Sequence, residues 1–496
     1  MERFGVVADD GNNGRNGALV TTEEEEGSDG AGGSSEEDSV LVSKRSCKMQ
    51  QSSEDYKQKR AKFHNEEEDP IINQLPDGIP VTILSKLPIN EAARTTILSR
   101  KWRHLWKFFS GALEFDGSPV MKNIKKDINK ALGRQLQMAM EIMFDAERKT
   151  YTNWINELFS SLKSPTLEGL RFWFHVATDY DVEKWLQYAI QKKVHKLELY
   201  FGHSFEYVLP LHLFKVENFD SLRVLRLKFV TLTSEMLEYL LCCCPSLETL
   251  SLNSSGVPNS MKISSSSGSS LKLKCLELVR CWELRNLEIC AENLVSLKYC
   301  GPHLDTEFRS VPRLVEAEFG GSYVEFTRES FISQIKVLKL DITQNVPQVV
   351  YWLCQLPELK NLKHLELVTC MEDGITLSTC ALLLKASPSL WRFTLKMLNI
   401  NPIFRRASTF SKECEYSLKE LELVGFCGAT CEVELIMYML ENAVRLQKII
   451  IDTRFPTKPK LKPIGEHSTS WDRESIQKRA LELHKKIPSS VEVVCL

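Results

Sequence analysis

The sequence predicts an α/β protein in which a disordered N-terminal tail precedes a small three-helix module and a long repeat array with inner parallel strands and outer helices or loops. Three observations support this fold class: a polar N-terminus of low complexity, a short stretch of apolar residues at helical spacing, and a six-residue apolar motif that recurs along the chain. At 496 residues the chain is too long for one ordinary core. We therefore expect several domains or an array that grows in one dimension.

Residues 1–68 form the predicted tail. They are rich in Gly, Ser and Glu, with an acidic run from Glu23 to Glu26, and cannot bury enough apolar surface to offset chain entropy. Two basic groups in the tail resemble a bipartite nuclear-import signal; they are Lys44, Arg45, Lys57, Lys59, Arg60 and Lys62. The alternative, that these are solvated charges balancing the acidic run, stays open.

The charge balance excludes some classes of partner. The chain carries 63 Lys and Arg against 65 Asp and Glu, so no overall basic field exists to hold nucleic acid or an anionic membrane, and we expect neither as a partner. The N-terminus lacks the basic and then apolar pattern of a secretory signal, and no apolar run approaches the roughly 20 residues of a membrane span. We expect a protein of the nucleus and/or cytoplasm.

Residues 69–115 form the predicted three-helix module. Ile79, Ile83, Leu84 and Leu87 form one stripe at helical spacing, and Pro88 ends this first helix. Asn90 is the expected cap of a second helix and Ser99 of a third. Trp102, Leu105 and Trp106 lie at i, i+3 and i+4 of that third helix. So small a core leaves a surplus of apolar side chains, which indicates a partner.

Residues 166–465 form the predicted array. The motif L-x-x-L-x-L, with Ile or Phe at some positions, begins at residues 222, 247, 273, 335, 362, 390, 418 and 446. Its middle positions are 25 to 28 residues apart wherever two matches are adjacent, which is typical of leucine-rich repeats. Each unit should supply one strand with inward leucines and a returning helix or loop. Between Leu278 and Ile335 the steps shrink to 20 or 21 residues, and there we expect strand and loop only.

The segments that flank the array are predicted to be helical. Residues 116–165 form a connector rich in Met138, Met140 and Met143, for which ordinary packing is favoured over a dedicated binding helix. Residues 466–496 offer a helix and then an apolar strand, the pattern of a C-terminal cap over the exposed last core face.

The three-helix module together with the repeats resembles the plant F-box proteins with leucine-rich repeats, whose C-terminal region is FBD-like or related. The resemblance rests on a dense, ordered set of residues: Leu75, Pro76, Ile79, Ile83, Leu84, Leu87, Pro88, Glu91, Arg94, Leu98, Ser99, Trp102, Arg103, Leu105 and Trp106. One position departs from the family, which usually has leucine where this chain has Pro80. A proline costs about 3 kcal/mol in a helix interior and much less if the helix starts after it.

The resemblance implies that the module docks onto a Skp-type linker protein, which connects it to a cullin scaffold. The positions that dock, or shape the docking surface, in the family are Leu75, Pro76, Ile79, Ile83, Leu84, Leu87, Pro88 and Leu98. Trp102, Leu105 and Trp106 are expected to pack the module instead.

The sequence shows none of the common motifs for catalysis, nucleotide binding or metal binding. It contains no phosphate-binding glycine loop, no H-E-x-x-H, no G-x-S-x-G and no C-x-x-C. We expect most cysteines to be small buried hydrophobes, and we expect no metal, no cofactor and no catalytic residue.

Two functions are compatible with these sequence features. The favoured one is a non-catalytic adaptor of an SCF-type (Skp–cullin–F-box) ubiquitin ligase, whose repeats bind an unknown protein target with the concave strand face and the loops at one rim. The alternative is a repeat scaffold or sequestering protein whose F-box does not engage the linker, and Pro80 is its main support.

Overall fold

A computed structural model describes residues 75–76, 78–98, 100–117, 136–173, 179–202, 207–216, 219–264, 270–321, 330–343, 351, 353–370, 375–398, 416–454 and 473–496. The predicted tail and its import-like basic residues lie outside this set. The chain divides into two compact units, Met1–Gly111 and Ala112–Leu496.

The first unit is helical in its described part. Its helices are α1 (Gly78–Leu84), α2 (Ile89–Arg94) and two 3-10 helices (Thr95–Ile97 and Trp102–Phe108). The prediction of Asn90 as a cap is wrong. Pro88 occupies that position with φ −57° and ψ 143°, and its carbonyl accepts from the amides of Glu91 and Ala92. The proline ring favours an extended backbone directly before the helix, so the helix begins two residues earlier than expected.

The second unit is a repeat array, as predicted. Its main strands are β1 (Ala112–Asp116), β2 (Gly169–Trp173), β3 (Lys196–Tyr200), β5 (Val224–Lys228), β7 (Thr249–Asn253), β9 (Cys275–Val279), β11 (Ser296–Gly301), β13 (Glu316–Gly321), β14 (Val337–Asp341), β15 (His364–Cys370), β16 (Arg392–Leu398), β17 (Glu420–Val424), β18 (Lys448–Asp452) and β19 (Glu492–Cys495). Within the described residues they form a 14-stranded sheet in this order, and every neighbouring pair is parallel.

The middle leucines of the motif lie in register, which confirms the alignment of the repeats. Leu225 pairs with Leu250, which pairs with Leu276, and the shortened repeats continue the row through Leu297 and Ala317. All five side chains are buried. Each repeat therefore completes the core of its neighbour, which is why a row of leucines suffices to specify the sheet.

Helices return the chain between the strands of the long repeats and lie over the buried leucines, on the side away from the solvent face of the sheet. They are α3 (Leu136–Ser161), α4 (Asp179–Gln191), α5 (Leu211–Val216), α6 (Ser234–Cys243), α7 (Ile375–Ala386), α8 (Thr430–Asn442) and α9 (Arg473–His484), with a 3-10 turn at Ser330–Gln334. The apolar segments 233–247, 380–390 and 434–446, which the sequence predicts to be returning helices, are confirmed as helical. The one predicted around 351–359 is described only in part.

Among their described residues the shortened repeats contain no α-helix, as expected, and one 3-10 turn, Ser330–Gln334. A second parallel sheet joins β10 (Asn286–Cys290) and β12 (Asp305–Ser310) of these repeats to β8 (Ser260–Ile263) of the repeat before them. In the longer repeats further upstream, a two-stranded ladder joins β4 (Tyr207–Val208) to β6 (Val230–Thr231). A step of about 20 residues leaves too little chain for a helix, and backbone amides of the extended return segments satisfy one another instead.

The array begins earlier than predicted. We expected residues up to 115 in the three-helix module, yet β1 pairs with β2 along its whole length, and Leu113 and Phe115 are buried. Phe115 lies 5.8 Å from Trp154 and 5.7 Å from Phe159, measured between ring centroids, so the C-terminal half of α3 covers the first strand. The side chains of the connector's three methionines lie outside the described set.

The C-terminal segment adds one more unit. Helix α9 buries Ile476, Ala480 and Leu483. Strand β19 then pairs with β18, matching Ile449 to Val493. No helix in the described part of the chain combines the length and apolarity needed to cross a bilayer.

Candidate functional site

Helix α1 carries two apolar stripes that lie about 100° apart around its axis. Pro80 and Leu84, four residues apart, are buried. Ile79 and Ile83 are also four residues apart but are 47% and 43% exposed. The single stripe that the sequence suggested is therefore divided: one side builds the core of the module, and the other leaves isoleucine side chains in solvent, where burial against a partner would stabilise a complex.

The remaining predicted docking residues mostly share this exposure. Leu87 and Leu98 are exposed apolar side chains, Pro76 and Pro88 are exposed, and Leu75 is half-buried. Leu84 differs from the rest because it is fully buried, so in this set it can shape the surface but not touch a partner.

Ile97 was missing from the predicted set. It is 87% exposed at the end of the 3-10 turn Thr95–Ile97, directly before Leu98. Its sequence neighbourhood offered a signal, since two adjacent apolar residues at a helix end cannot both face a core this small. Ile97 and Leu98 form the second exposed apolar group of the module.

Pro80 lies in the first turn of α1, as its third residue. The amides of a first turn have no intrahelical carbonyl to bind, so the missing N–H of Pro80 costs little there. Its ring is buried beside the core rather than placed on the exposed stripe. Pro80, where the family usually has leucine, therefore does not belong to the exposed stripe of α1.

The predicted packing residues lie in the second 3-10 helix. Trp102 and Leu105 are buried and Trp106 is half-buried. This helix contacts α1. The second 3-10 helix is therefore a packing neighbour of α1, the helix whose Ile79 and Ile83 are exposed.

Polar contacts close the module and hold α1 in place. The Ser110 amide donates to Ser85 Oγ at 3.0 Å, and the two hydroxyls are 3.1 Å apart. Lys101 Nζ donates to the Leu75 carbonyl at 2.6 Å. At Gly111 a side chain would not fit, because a Cβ there would lie 2.1 Å from the Ser85 carbonyl oxygen. These contacts fix both ends of the exposed stripe.

The solvent face of the large sheet is a second candidate surface. Its central row contains the residues between the inward leucines, and their charges alternate along neighbouring strands: Glu114, Arg171, Glu198, Arg226, Ser251, Glu277, Lys298, Glu318, Lys339, Glu366, Thr394 and Glu422. Most of these groups are paired, as in Lys339–Glu316 at 2.7 Å and Arg392–Glu422 at 2.8 Å. The face is therefore largely neutralised from within.

Glu198 is the best-enclosed member of this row. Its side chain is 3% exposed and lies within 3.2 Å of Lys196, Arg171 and Arg226 nitrogens. Burial opposes ionisation, but the surrounding cations and the Tyr200 hydroxyl together hold the pKa of Glu198 below its usual value. Burial and the nearby Glu198 carboxylate raise the pKa of Tyr200 to about 12. Such a cluster stabilises the sheet rather than offering a free charge.

The cysteines show a mixed pattern. Four of the eleven cysteines whose side chains the structure describes are buried (Cys244, Cys281, Cys380 and Cys427), so the expectation that most cysteines are buried is wrong for the described residues. Burial raises the pKa of the Cys281 and Cys380 thiols to about 12. Cys242 and Cys243, expected to be buried, are exposed on the outer end of α6. Among the residues that the structure describes, no three His, Cys, Asp or Glu side chains converge as metal ligands would.

Comparison with known proteins agrees with this architecture. Residues 212–491, more than half of the chain, match the family described as the At1g61320/AtMIF1 LRR domain. The F-box/FBD/LRR-repeat protein At3g52680 of Arabidopsis thaliana is 28% identical over 36% of this chain and 40% of its own length. The F-box/FBD/LRR-repeat protein At5g53840 and the putative F-box protein At3g58860, from the same plant, are each 24% identical, over 77% and 78% of this chain and 88% and 90% of their own lengths. With a helical module before a leucine-rich array, a matching leucine-rich-repeat family model and relatives named as F-box proteins, the chain belongs to the plant F-box/LRR protein family.

Proposed function

We propose that this chain is the substrate-recognition adaptor of an SCF-type ubiquitin ligase. The F-box docks onto a Skp-type linker and through it a cullin, and the leucine-rich array binds a protein target. The chain supplies position rather than a catalytic group, since holding a target near a charged conjugating enzyme raises the rate of transfer by proximity.

The observation that carries the proposal is the exposed stripe of α1. Ile79 and Ile83 are held in solvent by a rigid helix while Leu84 on the other stripe is fully buried. Burying an isoleucine completely contributes about 1.5–3 kcal/mol. Two half-exposed isoleucines, together with Ile97 and Leu98, therefore give a docking surface of useful strength at little cost to the fold of the module.

The test is retention of the full chain on an immobilised Skp-type linker, with Ile83→Asp as the variant. Docking would force the new carboxylate out of water, so we expect linker affinity to fall roughly 100-fold. Val444→Asp is the matched control, because Val444 is 69% exposed in the array, and it should bind like the wild type. Retention of both variants alike, or of neither them nor the wild type, would contradict the proposal.

The scaffold alternative has a direct test in the same assay. It requires wild-type chain that fails to bind the linker and a Pro80→Leu chain that does. Since Pro80 lies in a first helical turn and away from the exposed stripe, the adaptor proposal requires both chains to bind.

A further inference from the structure

Four residues form a continuous row where the strands of four neighbouring repeats begin. Lys336, Lys363, Trp391 and Lys419 each directly precede the first residue of β14, β15, β16 and β17. The amide of Lys363 donates to the Lys336 carbonyl at 2.8 Å, that of Trp391 to Lys363 at 2.9 Å, and that of Lys419 to Trp391 at 3.0 Å. We call this row the Lys–Trp ladder.

The ladder is open to solvent and its charges are not neutralised. Trp391 is 47% exposed, Lys336 and Lys363 are exposed, and Lys419 is half-buried. Among the described residues, no carboxylate oxygen lies within 4.0 Å of these three amines, and Lys363 Nζ instead donates weakly to the Ser389 carbonyl at 3.4 Å.

The lysines of the ladder differ from those on the solvent face of the sheet, and the difference makes the ladder the better surface for an anionic ligand. Lysines of the central row, such as Lys339, have a carboxylate partner on a neighbouring strand. A ligand that bound there would have to break existing ion pairs, whereas a ligand on the ladder meets ammonium groups that form no ion pair with any described residue. Charge complementarity therefore favours an anionic partner at the ladder.

The dimensions fit an extended peptide. Neighbouring strands are about 4.8 Å apart, so three steps span roughly 14 Å. An extended chain rises about 3.3 Å per residue, and about four or five residues would therefore cover the ladder. Lysines at its two ends and a tryptophan between two of them suit acidic side chains that flank an apolar one.

The cations of the ladder act as separate point charges. Lysine can pair with a carboxylate or a phosphate in this way, whereas bidentate recognition of either group favours arginine. The arginine nearest in sequence, Arg392, is already bound by Glu420 at 3.2 Å and Glu422 at 2.8 Å. The ladder thus offers separate positive charges and no free guanidinium fork.

We propose that the Lys–Trp ladder binds an extended, Asp- and Glu-rich segment of the protein target, with an apolar or aromatic side chain of that segment packed against Trp391. This inference rests on the proposed function and names the chemistry of the target. Single-stranded nucleic acid also uses lysines and aromatic rings, but it stacks on several rings, and the ladder has one.

The test measures binding of a fluorescent seven-residue peptide, three acidic residues on each side of one phenylalanine, to the full chain at low salt. The ladder variant is Lys336→Glu/Lys363→Glu/Lys419→Glu. Exposed ion pairs contribute about 0.2–1 kcal/mol each, so three of them, reversed, should weaken binding at least tenfold. Trp391→Ala should weaken it about threefold to tenfold, because the ring's contact area is lost.

A matched control keeps the charge change and moves it elsewhere. Lys478→Glu/Lys485→Glu/Lys486→Glu alters three exposed lysines of α9 and the turn after it, and should change peptide affinity less than about twofold. Equal weakening by both triple variants, or none by the ladder variant, would overturn the proposal.

Two further outcomes would also overturn it. One is ladder-dependent binding of a uridine oligonucleotide more tightly than the peptide. The other is zero-length cross-linking of ladder lysines to the Glu23–Glu26 run in the free chain, which would assign the ladder to the chain's own N-terminus.

Linker retention of the same variants separates this proposal from the proposed function. The ladder variant should still bind the linker while losing the peptide. A wild-type chain that binds the peptide but not the linker would leave the ladder standing and remove the ligase role.

Discussion

Adjacent residues of α1 have opposite tasks. Ile83 is half in solvent and Leu84 is completely buried, although the two are chemically alike. The difference arises because successive residues on a helix are about 100° apart, so Leu84 joins Pro80 facing inward and Ile83 joins Ile79 facing outward. Docking and folding of the F-box can therefore be perturbed separately.

Pro80→Leu is the residue-scale test of that separation. The first-turn position of Pro80 means that restoring an N–H gains no intrahelical hydrogen bond. Leucine is larger than the buried proline ring, and we expect a change in the free energy of unfolding of no more than about 1–2 kcal/mol. Linker affinity should change less than about threefold. Surface plasmon resonance on the linker checks this, and a gain of tenfold or more would show that Pro80 does disturb the docking stripe.

A second prediction concerns the buried carboxylate of Glu198. Glu198→Gln removes a carboxylate that receives three cationic groups, and should cost about 1.5–3 kcal/mol of unfolding free energy at pH 7. Since the folded pKa of Glu198 is depressed, its contribution is fully present above the unfolded value of about 4.3 and is lost as pH falls through the folded pKa. Urea titrations of both chains should therefore converge at acidic pH.

The control for Glu198 is Glu492→Gln. Glu492 is 62% exposed and pairs with Lys448 at 3.0 Å. An exposed pair of this kind is worth at most about 1 kcal/mol, so this variant should unfold close to wild type at every pH. An equal loss in both variants would mean that enclosure by the sheet adds nothing to the Glu198 cluster.

At the scale of elements, the sequence predicted the main sheet because its signal is periodic. Most strands of the main sheet carry a large apolar side chain, usually leucine, at the same two positions, and burial of both leaves only one register. The second sheet escaped prediction because, although β10 carries the motif spacing at Leu284, Leu287 and Ile289, its partner strands β8 and β12 do not share it. Their pairing follows from tertiary placement by the shortened repeats, which local pattern does not encode.

A prediction for the shortened repeats concerns Gly321. It ends β13 with φ +78°, and a Cβ there would lie 2.4 Å from the Gly301 carbonyl oxygen. Gly321→Ala should cost at least about 2 kcal/mol, through left-handed backbone strain and the clash with a neighbouring strand. Differential scanning calorimetry should show a lower midpoint. Gly78→Ala is the control, because nothing lies within 4 Å of its added Cβ, and it should be neutral or slightly stabilising.

Across the whole molecule, the charges that stabilise the sheet and the charges proposed to bind a partner lie on different surfaces. The chain is nearly neutral overall, with a net charge of −2. The charges on the sheet face are nevertheless paired, whereas those of the Lys–Trp ladder are not. The sequence could not show this, because Lys336, Lys363 and Lys419 look like ordinary surface lysines until the register aligns them. The residues that pair and those that remain free differ by only a few positions within each repeat.

The two proposed surfaces should respond in opposite ways to salt. Linker docking depends on apolar burial, which ionic strength hardly weakens, whereas ladder binding depends on exposed charges that salt screens. Raising salt from about 0.1 M to about 1 M shortens the screening length from roughly 10 Å to roughly 3 Å. Full chain on immobilised linker should stay bound across this range, while the acidic peptide should dissociate from the same immobilised complex. Loss of the linker at high salt would show that its docking is electrostatic, and retention of the peptide would show that Trp391 rather than the lysines supplies the affinity of the ladder.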